Sequence, residues 1–263
     1  MGEENAVDAT YIVDNPLSPY QKFANFYDRV MGNAAALVIA RCFERSRRRY
    51  DLRFSSAADI GCGTGTFLRH LAQFCDVLYG VDRSAAMLAQ ARRKLRGASV
   101  RFSQQDLRVL RLPQRVDLIT CMFDTLNYLT TAAGLQEALE SARENLRNGG
   151  SLIFDVITGA GEAGRARRLK QRISLPQQSA IWRLRTDGTQ NRSRVEMLWH
   201  SLAESGNGKT WREVHYQRWY PLPWLCTVLK RCGLRICGVH DVVSYEPASP
   251  QTWWAHFVVC RCR

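Results

Sequence analysis

No apolar run in the 263-residue chain approaches the roughly 18 to 20 residues that cross a bilayer, which argues against a membrane-spanning helix. The first residues, Met1-Gly2-Glu3-Glu4-Asn5, are acidic and have no apolar stretch behind them, so no secretory signal is expected. Ala6 stands where a myristoylation signal needs Ser or Thr. Internal repeats, heptad runs and low-complexity tracts are absent, which excludes solenoids and coiled coils. There is no Cys-x-x-Cys pair among the nine cysteines, at 42, 62, 75, 121, 226, 232, 237, 260 and 262. Their odd number and apolar settings, as in Ile119-Thr-Cys-Met-Phe123, imply reduced core thiols in a cytoplasmic protein and no metal site. Acids are scarce: 24 against 37 Lys plus Arg, a net charge of +13. Arginines cluster at Arg45-Ser-Arg-Arg-Arg49 and around Arg165 to Arg172. Such a surface can hold RNA or anionic lipid through phosphate contacts, although a solvated basic face accounts for it without a partner.

What is present centres on Ala57-Ala-Asp-Ile-Gly-Cys-Gly-Thr-Gly65. A short strand ends near Asp59, glycines follow at 61, 63 and 65, and Phe67, Leu68, Leu71 and Phe74 then recur at helical spacing. This is a strand, a tight turn and a helix start, the geometry that lets a cofactor lie on bare backbone. A dinucleotide fingerprint needs its third small residue at position 66; here that residue is Thr and the glycine comes one place early. Asp59 would repel a phosphate but suits a ligand with an ammonium group. S-adenosylmethionine carries an ammonium and a sulfonium and no phosphate.

From residue 55 strand and helix signals alternate with short connections, which predicts a parallel sheet. Strands are expected at 57–60, 77–82, 98–103, 116–121 and 151–157, with helices over 84–95, capped by Ser84, and 132–147, closed by Asn148-Gly149-Gly150. Upstream, residues up to Asn15-Pro-Leu-Ser-Pro19 read as extended. Phe23, Phe26, Tyr27, Val30 and Met31 predict an amphipathic helix from Tyr20, and Ala35 to Phe43 another. After Thr158 the period changes. Turn signals at Asp187-Gly188 and Ser205-Gly-Asn-Gly208 separate three antiparallel strands, 181–185, 193–200 and 210–220. A helix from Pro221 to Cys232 and strands near 234–241 and 253–262 then return to the main sheet. The expected organisation is an N-terminal helical lid (1–54), a cofactor-binding core (55–157), a β-rich cap insertion (158–220) and a completion of the core sheet (221–263).

Further acids follow in the order a nucleoside site requires. Asp82 ends the second strand, placed to accept both ribose hydroxyls. Asp106 follows the third strand, placed for an exocyclic adenine amine, and Asp155 lies in the fifth. Asp59-Ile-Gly-Cys-Gly-Thr-Gly65, Val81-Asp82 and Gln105-Asp106-Leu107 together resemble the three cofactor motifs of class I S-adenosylmethionine-dependent methyltransferases. Met122-Phe-Asp-Thr-Leu-Asn-Tyr-Leu129, the β-rich insertion and Arg218-Trp-Tyr220 resemble the small-molecule branch, which holds amino-sugar N-methyltransferases and glycine N-methyltransferase-like enzymes. The resemblance implies an α/β, Rossmann-like fold, a seven-stranded, mostly parallel sheet whose last strand is antiparallel, with the acceptor held under a cap. It implies that Gly61, Gly63 and Gly65 pass under S-adenosyl-L-methionine, with Asp59 near its amino end, Asp82 on the ribose, and Asp106 and Leu107 beside adenine. Met87 would pack on the adenine, and Tyr20 and Tyr27 would cover the methionine part. Cys62, Arg83 and Met122 complete the cofactor-binding set.

Because the sulfonium already carries the leaving group, holding donor and nucleophile in line can lower the barrier by about 7 to 11 kcal/mol, and a base is needed only for a hydroxyl or an ammonium. Asp124, Asn127 and Tyr128 after the fourth strand are the acceptor-side candidates. Tyr128 stands where some amino-sugar enzymes of the branch have a histidine, which argues against a histidine base at that position. Alternation puts Trp211, Glu213, His215, Gln217 and Trp219 on one face of a cap strand, with His215 a second candidate base. The expected partner is a small-molecule acceptor bearing the methylated N or O; the oligomeric state is left open, a dimer included. RNA methylation is not favoured: the segment after the fourth strand lacks both the Asn/Asp-Pro-Pro-aromatic signature and a Pro-Cys nucleophile. A non-catalytic cofactor-binding subunit and a nicotinamide oxidoreductase remain as alternatives.

Overall fold

The computed structural model describes residues 17–160, 168–175, 178–187, 190–201 and 210–262. The expected turn at Ser205–Gly208, Gly188, Arg165–Arg167 and residues 1–16 lie outside them. Strands β1 (Ser56–Ile60), β2 (Val77–Asp82), β3 (Val100–Gln104), β4 (Val116–Cys121) and β5 (Leu146–Ile157) alternate with helices α2 (Thr66–Leu71), α3 (Ala85–Lys94) and α4 (Ala132–Asn145). With α5 (Leu222–Arg231), β10 (Leu234–Asp241) and β11 (Trp254–Arg261) they build a seven-stranded sheet of order β10-β11-β5-β4-β1-β2-β3. Pairings among β1 to β5 are parallel, and β11 runs antiparallel to both β5 and β10. The last strand of the chain is therefore the reversed one, as the resemblance implied.

The apolar runs of β1 and β4 are buried almost throughout, as strands covered on both faces must be. One core layer joins Ile60, Val81, Ile119, Phe154 and Phe257 to α4 and α5; the other joins Leu68, Leu78, Leu118, Ile153 and Val258 to Ile39 and Phe43 of α1 (Tyr27–Arg49). Strand order reverses between β1 and β4, so a crevice opens beyond their carboxyl ends, the place where open α/β sheets bind ligands.

Three boundaries differ from expectation. Tyr20 lies in a turn with φ 64°, a short 3-10 turn covers Phe23–Asn25, and a single helix then runs unbroken from Tyr27 to Arg49. A tertiary contact prevents an earlier start, because the Glu213 carboxylate takes the N–H groups of Lys22 and Phe23. Asn148-Gly-Gly150 does not follow a helix but bulges within β5: Val116 pairs with Leu146 and Leu118 with Ser151, and Gly149 turns at φ 79°. Finally, the second sheet has four strands, not three, in the order β6 (Arg168–Leu175), β7 (Gln178–Asp187), β8 (Arg192–Ser201), β9 (Thr210–Arg218), all antiparallel. β6 is an edge strand paired only with β7, and an edge tolerates the charged sequence Arg-Leu-Lys-Gln-Arg that hid it. All nine cysteines are free, and among the described residues no helix is long and apolar enough to cross a membrane.

Candidate active site

The glycine loop makes the floor of the site. Gly61, Gly63 and Gly65 have φ of 72°, 54° and 77°, a region that only glycine adopts freely. Their surroundings separate their tasks. A Cβ on Gly61 would lie 2.3 Å from Thr125 Cγ2, and one on Gly65 would lie 3.0 Å from Leu95 Cδ1, so these two let the β4 loop and α3 close in. A Cβ on Gly63 would meet nothing within 4 Å. Its bare backbone faces open space, as a cofactor cradle requires.

Asp82 braces that backbone, accepting from Gly63 N at 2.9 Å and Ser84 N at 2.7 Å, while Ser84 caps α3 by accepting from Met87 N. Burial pushes the Asp82 carboxyl up against these two donors. Asp59 is buried and accepts from Thr120 Oγ1 at 2.7 Å; burial pushes it up to about 7. Asp106 is gripped by Arg108 through its backbone N, Nε and a terminal nitrogen at 2.7 to 2.9 Å, which holds the acid below its ordinary value. An adenine amine would share those oxygens with an arginine that the motif did not announce.

Along with Gly61, Gly63 and these three acids, a cavity of about 320 Å³ is lined by Tyr20, Tyr27, Cys62, Arg83, Met87, Leu107, Met122 and Tyr128. Asp28, absent from the sequence-based candidates, also lines it: it accepts from Thr64 Oγ1 and pairs with Lys94 Nζ, both at 2.6 Å, clamping the start of α1 to the glycine loop. Its partners lie 36 and 66 residues away, so no local pattern could reveal it.

The acceptor-side candidates separate. Phe123 and Asp124 sit at φ 61° and 49°, held there because Asp155 accepts from both of their N–H groups at 2.7 and 2.8 Å and from Trp254 Nε1 at 2.7 Å. Burial pushes Asp155 up to about 6. Asp124 turns away from the cavity lining to accept from Gln217 Nε2; burial, then the neighbouring Asp155, push it up to about 7. Asn127 is fully buried and commits its amide to backbone, donating to Ile157 O and Arg218 O and accepting from Ile157 N. It ties the β4 loop to β5 and β9, which corrects the expectation that it meets an acceptor. Tyr128 does face the cavity; its hydroxyl lies 2.5 Å from Tyr20 Oη and 2.9 Å from His215 Nδ1. His215 is buried behind it and outside the lining. Burial raises the phenols of Tyr20, Tyr27 and Tyr128, keeping them protonated as donors. No group of three or more metal-ligating side chains occurs among the described residues.

The raised acids give a pH dependence. Between about pH 4, where a free Asp ionises, and about pH 7, Asp59 and Asp124 hold protons in the folded chain that the unfolded chain has released. Their contribution to stability is present at the acid end and is lost as pH rises through this window. Asp124→Asn removes one of these raised acids, so its Tm should change less between pH 5 and pH 8 than that of the wild type, by at least ~2 °C. Parallel Tm profiles would contradict the shift at Asp124.

Residues 57–150 match the family model described as a methyltransferase domain. A dTDP-3-amino-3,6-dideoxy-alpha-D-glucopyranose N,N-dimethyltransferase of Streptomyces fradiae is 34% identical over 129 residues, covering 49% of this chain and 46% of that protein. The chain spans about half the length of the curated relatives it matches above 30% identity. In fold it is similar to an S-adenosylmethionine-dependent methyltransferase from Clostridium acetobutylicum, with TM-score 0.80, 23% identity and coverage of 93% of this chain and 99% of that one. It is likewise similar to a sugar N-methyltransferase from Streptoalloteichus sp., with TM-score 0.76, 24% identity and coverage of 98% and 99%. With the reversed seventh strand, the glycine floor and the acids at the ends of β1 and β2, the chain has the fold of class I S-adenosylmethionine-dependent methyltransferases, and its residues 57–150 match a methyltransferase domain.

Proposed function

We propose that the chain is an S-adenosylmethionine-dependent methyltransferase that methylates an amine nitrogen of a small polar acceptor, of the amino-sugar class. The observation that carries this reading is one cavity lined by two chemically distinct sets: the bare Gly63 backbone with the Asp82 carboxylate, and the paired phenols of Tyr20 and Tyr128. The first set fits the cofactor. Asp82 would take the ribose hydroxyls, Met87 and Leu107 the adenine, and Asp59 with Tyr27 the amino-acid part. When bound, the cofactor supplies an electrophilic methyl group on a sulfonium that leaves as a neutral thioether. What remains for the protein is to orient the nucleophile and exclude water. The second set offers hydroxyls that accept from or donate to an amine and its neighbouring hydroxyls. The similarity to an amino-sugar dimethyltransferase supports the same acceptor class.

The test is methyl transfer by the full chain from S-adenosylmethionine to a panel of nucleotide-linked amino sugars, free amino sugars, alkylamines and structured RNA, read by mass spectrometry. One or two methyl groups added to an amino sugar are expected. Transfer to RNA alone would replace the acceptor assignment. Calorimetric binding of the cofactor without transfer to any acceptor would identify a binding subunit instead.

A further inference from the structure

We propose that Tyr20, Tyr128, His215 and Glu213 form a proton relay that takes the proton from the acceptor ammonium, assembled only when the N-terminal segment docks on β9. The inference rests on the amine methyltransferase reading. An alkylammonium keeps its proton up to about pH 10 in water and has no lone pair for attack, so transfer at neutral pH needs somewhere for that proton to go.

The structure contains a continuous path. Tyr20 Oη is 2.5 Å from Tyr128 Oη, Tyr128 Oη is 2.9 Å from His215 Nδ1, and His215 Nε2 is 3.4 Å from Glu213 Oε2. Only the two phenols line the cavity; His215 is 2% exposed and Glu213 fully buried. The carboxylate sets the direction. As an acceptor it selects the Nε2–H tautomer of His215, which leaves Nδ1 free to accept from Tyr128, whose oxygen accepts from Tyr20. The acceptor nitrogen gives its proton to Tyr20 Oη, Tyr20 passes its own to Tyr128, and Tyr128 passes its own to His215 Nδ1. Both phenols end as they began, the amine gains its lone pair, and the imidazolium is balanced by Glu213. Val195 lies opposite His215 on β8 and the Tyr20 ring packs edge-on to it at 4.8 Å, while Tyr128 is approached by Tyr27 from α1, by Asp124 and by Arg83, which lies over its ring at 5.9 Å. Arg83 is the one cation in this set, and it stands on the phenol rather than on the imidazole.

Glu213 has a second attachment. Its other oxygen accepts the N–H groups of Lys22 and Phe23, and Leu17 N donates to Arg212 O at 2.8 Å. Phe23 then packs on Trp182 and Trp199 with ring centroids 5.3 and 5.6 Å away. Docking of this segment is what delivers Tyr20 to Tyr128. The relay and the closed N-terminal segment are thus one assembly, and its buried anchor is a positioning residue.

Glu213→Gln separates the two roles, because an amide oxygen still accepts the segment's N–H groups while the amide N–H₂ donates to His215 Nε2. Nitrogen-15 NMR of the histidines in the full chain should show His215 moving from the Nε2–H toward the Nδ1–H tautomer. Cofactor affinity by calorimetry should be unchanged. With the amine acceptor found in the panel above, kcat at neutral pH should fall about 10²-fold, the usual size of a proton-transfer contribution, and recover as pH rises and the ammonium loses its proton unaided. If Glu213→Gln fails to fold, Tyr128→Phe interrupts the same path with the ring retained; Glu213 still selects the Nε2–H tautomer there, so the expectation is the same pH-dependent loss of kcat without a tautomer change. An unchanged tautomer in Glu213→Gln, or a loss of kcat equal at all pH values in either variant, overturns the relay while leaving the methyltransferase reading intact. Failure of the wild type to methylate any amine, with the tautomer change present, overturns the amine reading and the relay's role with it.

Discussion

Asp155→Ala should cost at least about 3 kcal/mol of stability and should abolish the site after β4. The buried carboxylate satisfies three donors, Phe123 N, Asp124 N and Trp254 Nε1, and each donor stranded in the core costs about 1 to 3 kcal/mol. Trp254 ties the reversed strand β11 into the same acid, so the loss reaches the sheet as well as the loop. The loop has its own reason to move. Phe123 and Asp124 hold left-handed backbone at φ 61° and 49° without being glycine, a geometry that costs about 1 to 3 kcal/mol per residue and persists only where surroundings impose it. Released, the backbone would relax toward negative φ and carry the following turn, Thr125 to Tyr128, away from Tyr20 and His215. Asp155→Asn, which keeps one acceptor oxygen but turns an N–H₂ toward a donor, should fall between. Urea denaturation gives the difference directly. A midpoint close to that of the wild type for Asp155→Ala would refute the bracing role.

Asp82→Ala should weaken S-adenosylmethionine binding by about 10²-fold or more, with the fold largely intact. Two effects add. Charge-assisted hydrogen bonds from a carboxylate contribute about 1.5 to 3 kcal/mol each, and the ribose offers two hydroxyls. The same carboxylate holds Gly63 N at 2.9 Å and Ser84 N at 2.7 Å, so its loss also frees the loop that forms the cradle. Asp82→Asn should recover part of the loop order and little of the affinity, because a neutral amide accepts weakly and presents two hydrogens to groups that are already donors. Calorimetric titration of the two variants separates positioning from charge. Affinity unchanged in Asp82→Ala would remove the ribose assignment.

The strand-turn-helix at 57 to 71 was legible in the sequence because each requirement is local. A left-handed turn demands glycine within a few residues, and a helix records its buried face every three or four positions. The same holds for β1 to β5, whereas the reversal at β11 was implied only by the resemblance to a known family. Errors arose where a distant group intervened. Gly149 and Gly150 read as a helix stop followed by a strand, yet the pairing of Leu146 with Val116 draws them into β5 as a bulge. Asn127 read as a polar residue beside the acceptor, yet two backbone carbonyls, one of them Arg218 O 91 residues on, use up its amide hydrogens.

By itself the sequence determined the proposed donor side of this protein: the glycine floor, the acids at the ends of β1 and β2, and through them the kind of cofactor proposed. The tertiary structure alone decided the acceptor side. Which of Asp124, Asn127, Tyr128 and His215 faces the cavity depends on contacts such as Glu213 with Lys22, 191 residues apart. The physical reason is one of range. Backbone conformation and periodicity are written into neighbouring residues, whereas a buried polar group takes whichever partner the packed fold brings within 3 Å, and that partner leaves no mark nearby in the chain.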